Sequence, residues 1–141
     1  MTVVLVDTAN VVGARPDGWW RDRAGATSRL LHRLAGLAGR TLPGPDDLPV
    51  RVTSVVAVVE GRARAAQVPD GLRVVRADVS GDDALAAVAA DLTADLADGD
   101  DLLVVTADRG LRARLPGTAR IAGPGWLLST ADAVTGQDAD P

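Results

Sequence analysis

The sequence predicts an α/β domain built on a mostly parallel sheet of about five strands, and three observations point there. Short apolar runs such as TVVLV at 2–6 and LLVVT at 102–106 have the length and valine content of strands buried on both faces. Between such runs lie segments whose apolar positions recur at three and four residues, as Leu85, Val88, Ala89, Leu92 and Leu96 do. The two patterns alternate, an order that places helices on both faces of a parallel sheet. At 141 residues the chain has the size of one ordinary domain.

The first strand covers 2–6. Residues 19–39 follow a PDG turn at 16–18 and place Trp20, Leu30, Leu31, Leu34, Leu37 and Ala38 near helical spacing, which predicts one long helix. The stretch TLPGPDDLP at 41–49 is too rigid and polar to continue it and reads as a loop. VTSVVAVV at 52–59 is the second strand; a short helical turn at 62–68 leads to LRVVRA at 72–77, the third. A helix over 81–97 precedes the fourth strand at 102–106, a short helix near 109–115 and a brief strand, ARIAG, at 119–123. The domain is bounded at 1–128, and 129–141 (STADAVTGQDADP) reads as a flexible acidic tail.

Composition narrows the chemistry. There is no Cys, one Met and a single His, so disulfides, thiolate zinc sites, a cysteine nucleophile and a histidine-built metal site are excluded. Three Trp are the only aromatic residues, so the core is aliphatic. All fifteen basic residues are Arg, a coding bias that suggests a GC-rich bacterial genome. The net charge of −4 argues against a surface that is basic throughout, though not against a local basic patch. No stretch approaches a membrane span of about 20 apolar residues, and the first residues lack a signal-peptide pattern, so a cytoplasmic protein with no membrane partner is expected.

Three acidic turns carry the functional signal: DTAN at 7–10, SGDD at 80–83 and TADR at 106–109. Asp7 and Asp108 follow runs that read as parallel strands, at the carboxyl edge where open α/β sheets bind ligands. Carboxylates gathered there repel one another unless a cation intervenes, which points to a hard ion such as magnesium or manganese. Each acid also has a plain structural role. Asp7 and Asn10 can end a strand through local hydrogen bonds. Ser80 and Asp83 can form a capping box, and Asp108 can cap the helix that starts near Arg109. Adjacent helical residues point about 100 degrees apart, so one of Asp82 and Asp83 can face the sheet edge while the other faces solvent.

Weaker candidates surround these turns. Glu60 ends the second strand and can join the acids or pair with Arg62 or Arg64. His32 reads as a surface or boundary residue of the long helix. Trp19 and Trp20 can stack on bases, or one can anchor the helix on the core. Arg15, Arg21 and Arg23 flank the first acidic turn and can hold phosphates, although solvated surface positions are usual for arginine.

VLVDTANV, SGDDALA and VVTADR together resemble the PIN-like superfamily of metal-dependent nucleases, in particular its bacterial NYN-domain branch; the likeness spans roughly residues 2 to 128. The resemblance implies a Rossmann-like three-layer α/β/α domain with strand order 3-2-1-4-5 and a metal-dependent endoribonuclease using Mg²⁺ or Mn²⁺. It matches Asp7 and Asn10 to the D-x-x-N pattern, Asp82 (with Asp83 as the alternative alignment) to the acid opening the central helix, and Asp108 to the acid after the fourth strand. Asp7, Asp82 and Asp108 would then be the metal-binding set, Asn10 would position a water or phosphate, and Arg15, Arg21 and Arg109 would hold RNA. Cleavage would leave a 5′-phosphate and a 3′-hydroxyl.

Two departures stand out. Thr8 replaces the Gly usual after the first NYN acid, as in VapC-type toxins, and Gly110 replaces a fourth acid, leaving one or two ions open. A haloacid-dehalogenase-type phosphatase would need an Asp where Ala9 stands, and a receiver domain a Lys that the chain lacks. The alternative is a catalytically inactive PIN-like domain binding RNA or protein; a protein partner or homodimer stays open.

Overall fold

The computed structural model describes residues 1–15, 18–61, 66, 68–77 and 81–139. Strand β1 (Thr2–Asp7) runs parallel between β3 (Pro49–Val59) and β5 (Asp101–Val105), and β6 (Arg120–Ala122) extends the sheet beyond β5. On its outer edge β3 carries two partners: β2 (Thr41–Pro43), antiparallel along Pro49–Arg51, and β4 (Arg73–Arg76), parallel along Val56–Val59. The sheet is therefore mixed and six-stranded, with order β2-β3-β1-β5-β6 and β4 also on β3; it differs from the expected 3-2-1-4-5, whose strands are here β4, β3, β1, β5 and β6, by the added antiparallel strand β2.

The difference arises in 41–49, read from sequence as a loop. Those residues close a hairpin in which the Gly44 N–H donates to the Leu48 carbonyl at 2.9 Å, and Asp47 takes a left-handed φ of 65°. Proline is tolerated because β2 lies at an edge, where a missing N–H breaks no further ladder. Leu42 supplies the reason to pair, since it is buried in the core beside Val50 and Val52. At 11 residues β3 is long enough to serve β2 at its start and β4 at its end.

The single long helix expected over 19–39 is divided. Helix α1 (Thr8–Val12) begins directly after β1, Trp19–Arg21 form a separate 3₁₀ turn, and α2 spans Arg23–Ala35. Asp22 causes the break: its carboxylate accepts from the Gly25 N–H at 2.9 Å and caps α2. Trp20 is 53% exposed, against Trp19 and Arg21 rather than in the core; His32 is exposed on α2. The short turn expected at 62–68 and the proposed Ser80 cap lie largely or wholly outside the described residues.

Side chains of β1, β3 and β5 alternate between two cores, as a period of two requires. Val4, Val6, Val55, Ala57, Leu103 and Val105 meet α1, α2 and α5 (Pro124–Ala139) on one face. Leu5, Val56, Val58, Leu102 and Val104 meet Leu85 and Ala89 of α3 (Gly81–Asp95) and Leu111 of α4 (Arg109–Arg112) on the other. The result is three layers. The boundary expected at 128 falls inside α5, where Leu127, Leu128, Ala131 and Val134 are buried at helical spacing. No helix among the described residues is long and apolar enough to cross a membrane.

Candidate active site

The chain leaves β1 into α1 on one face of the sheet, whereas it enters β5 from α3 on the other. The crevice between the carboxyl ends of β1 and β5 is thus a topological switch point, the usual ligand position in open α/β sheets. Parallel pairing of Val6 with Val105 sets the next residues, Asp7 and Thr106, side by side there.

Thr106, fully buried, organises the crevice. Its hydroxyl donates to Asp7 Oδ2 at 2.9 Å and accepts from the Asp108 N–H at 3.1 Å. A hydroxyl has one proton, so committing it to Asp7 fixes the direction of both bonds. Asn10 ties the two turns together, its Oδ1 accepting from the Ala107 N–H at 2.8 Å. Asp108 caps α4 through the Leu111 N–H at 3.1 Å. Glu60, at the end of β3, accepts from the Gly81 N–H at 2.6 Å and so holds the start of α3. The two acids opening α3 diverge: Asp83 pairs with Arg114 at 2.7 Å, while Asp82 is half-buried and lies in the field of Asp108 and Glu60.

The electrostatics record the crowding. Burial raises the Asp7 carboxyl above its ordinary range; the bonds from Thr106 and the Asn10 N–H oppose this, and the charges of Asp82 and Glu60 add to it. Burial also raises Asp82, joined by repulsion from Asp108 and Glu60 against the opposing pull of Arg114. Four carboxylates thus lie near one sheet edge, and among the described residues no arginine acts on Asp7. Among the described residues, however, no three carboxylate or imidazole groups converge closely enough to hold one ion directly. The expected set of Asp7, Asp82 and Asp108 is therefore not a closed three-ligand cage. The donor chemistry fits a magnesium-like ion that retains several waters and takes one or two carboxylates directly.

The arginines expected to hold RNA are found in different states. Arg15 pairs with Asp132 at 2.6 Å, and Arg33 reaches the same carboxylate at 2.8 Å. Arg21 lies over the Trp20 ring, 5.9 Å from its centroid, and Arg109 is exposed beside Asp108. Sequence reasoning missed Thr106 as a participant, although a hydroxyl residue two positions before Asp108 was the available signal.

Replacing Thr106 by Val keeps the shape but strips Asp7 of a donor and the Asp108 N–H of its acceptor. The expected cost is about 1–3 kcal/mol of stability by denaturant titration, with Thr106→Ser close to wild type. Because this bond lowers the Asp7 carboxyl, the Val variant should also shift the acid limb of any activity profile to higher pH.

No family model matches the chain, and no curated protein matches it either. Solved structures share its fold, two of them of one protein. The crystal structure of Rae1 (YacP) from Bacillus subtilis superposes with a TM-score of 0.72 at 16% identity, covering 98% of this chain and 78% of that one. Its W164L mutant gives a TM-score of 0.72 at 17% identity, covering 97% and 79%. The likeness establishes the fold, at an identity too low to establish a family.

Proposed function

We propose that this chain is a metal-dependent ribonuclease whose reaction centre lies between the carboxyl ends of β1 and β5. The observation that carries the reading is the pair Asp7 and Asp82 at a switch point, both raised first by burial and then by neighbouring acids, Asp82 and Glu60 acting on Asp7 and Asp108 and Glu60 on Asp82. A site that holds carboxyl groups raised by burial and by one another is poised for a cation. Asp7 and Asp82 are the residues that would hold Mg²⁺ or Mn²⁺, with Asp108 acting through water. Such an ion supplies charge neutralisation at the scissile phosphate and acidifies an attacking water. Thr106 holds the Asp7 carboxylate in place, Asn10 ties the two turns together, and the exposed Arg109 would meet a phosphate.

The test is cleavage of 5′-labelled single-stranded and structured RNAs by wild type with Mg²⁺, Mn²⁺ or EDTA, beside Asp82→Asn. Divalent-dependent cleavage that falls in the variant is expected. No cleavage of any RNA with either ion would leave the second reading, an inactive PIN-like binding module.

A further inference from the structure

The aliphatic core uses no Phe or Tyr, and Trp126 is accounted for by its Nε1–H donating to the Pro43 carbonyl at 2.9 Å. The other two tryptophans, half-buried Trp19 and exposed Trp20, lie edge to face with centroids 6.0 Å apart. Trp19 lines a recess of about 300 Å³ together with Ala9, Arg23, Thr27 and Glu60. Ala9 lies two residues after Asp7, and the Glu60 charge acts on both Asp7 and Asp82, so the recess adjoins the reaction centre.

We propose that this recess receives one unpaired guanine of the RNA next to the bond that is cut, an inference that rests on the ribonuclease reading. The Arg23 guanidinium lies over the Trp19 ring, 5.3 Å from its centroid. Together they offer planar groups of the kind on which splayed bases stack. Stacking tolerates any base; Glu60 supplies the choice. An ionised carboxylate only accepts hydrogen bonds. Guanine presents two adjacent donors, N1–H and the 2-amino group, on its Watson–Crick edge. Adenine and cytosine set a ring-nitrogen acceptor beside their one amino group, and uracil flanks its N3–H with two carbonyls, so each turns a lone pair toward Glu60. One Glu60 oxygen already accepts from the Gly81 N–H, which fixes the carboxylate's orientation and still leaves lone pairs for a base. Base pairing would occupy the edge being read, so the substrate is single-stranded at this position.

The experiment measures anisotropy of labelled UUGUU, UUAUU, UUCUU and UUUUU with wild-type protein in EDTA, so that binding is read without cleavage. UUGUU should bind on the order of tenfold more tightly than the other three. Glu60→Gln, which keeps an acceptor for the Gly81 N–H, should level the four affinities. Trp19→Leu and Arg23→Ala should weaken all four together; Arg23→Ala serves if the tryptophan variant fails to fold. Equal binding of the four oligonucleotides, a preference untouched by Glu60→Gln, or 5′-GMP binding as tightly as UUGUU would overturn the proposal. Guanine preference in a protein that cleaves no RNA with any divalent ion would instead remove the ribonuclease reading and leave the recess standing.

Discussion

Asp7→Asn is expected to lower divalent-dependent RNA cleavage by about 10²–10³-fold, the scale of losing one electrostatic group from a reaction centre. The same substitution should make the protein more stable at neutral pH. Asp7 is raised above its ordinary range by burial and by the charges of Asp82 and Glu60, so folding disfavours its ionised form. Below the carboxylate's unfolded pKa both states hold the proton, and wild type and variant should melt alike. As pH rises through the raised folded value, wild type loses stability that the neutral amide does not lose. The advantage of Asn should therefore open in the acidic range and be complete at neutrality. It is expected to be on the order of 1 kcal/mol, as for other relieved charge conflicts.

Adding Mg²⁺ should close that gap, because an ion bound only by the folded wild type stabilises it by mass action. Thermal melts across pH, with Mg²⁺ and with EDTA, check all three statements beside the cleavage assay. A variant that cleaves as well as wild type, or one less stable than wild type at neutral pH in EDTA, would return Asp7 to the role of a strand-ending hydrogen-bond acceptor.

How much of this was legible in the sequence depends on whether the cause was local. β1 and β5 were readable because TVVLV and DLLVV are uniform apolar runs, and their parallel pairing carries Asp7 and the turn before Asp108 to one edge. The helix expected over 19–39 failed at Asp22, because the helical spacing of the leucines begins only at Leu30 and says nothing of what precedes it. β2 was hidden because its three residues gain from β3 rather than from their own propensity, with the three prolines of 41–49 arguing the other way. The divergence of Asp82 and Asp83 depended on Arg114, 31 residues on from Asp83, a contact that no local pattern announces. Thr106 was overlooked for a related reason: its weight comes from two partners, one of them 99 residues away.

Removing residues 129–141 should destabilise the domain by about 3–5 kcal/mol, against the small change expected of a loose acidic tail. The polar letters of STADAVT conceal a buried stripe: Ala131 and Val134 continue the face begun by Leu127 and Leu128, and Thr130 is buried beside them. Truncation would delete the first pair and strand the second, and burying one Leu or Val contributes about 1.5–3 kcal/mol. The Asp132 pairs with Arg15 and Arg33 would also be lost. Those groups are more than a third exposed, so the pairs contribute at most about 1 kcal/mol, and Asp132→Ala alone should be mild. Val134→Asp keeps the chain length and buries a lone carboxylate, so it should approach the effect of truncation.

Because α5 packs on α1, the loss should reach the reaction centre as well. Leu128 and Ser129 line the same recess as Asn10, Arg15 and Ala107, so the bond from the Ala107 N–H to Asn10 would lose its support. Denaturant titration of the truncated chain and of Val134→Asp, each followed by the cleavage assay, separates the possibilities. A truncated chain with wild-type stability would mean that the sheet and α2 bury their shared face without α5.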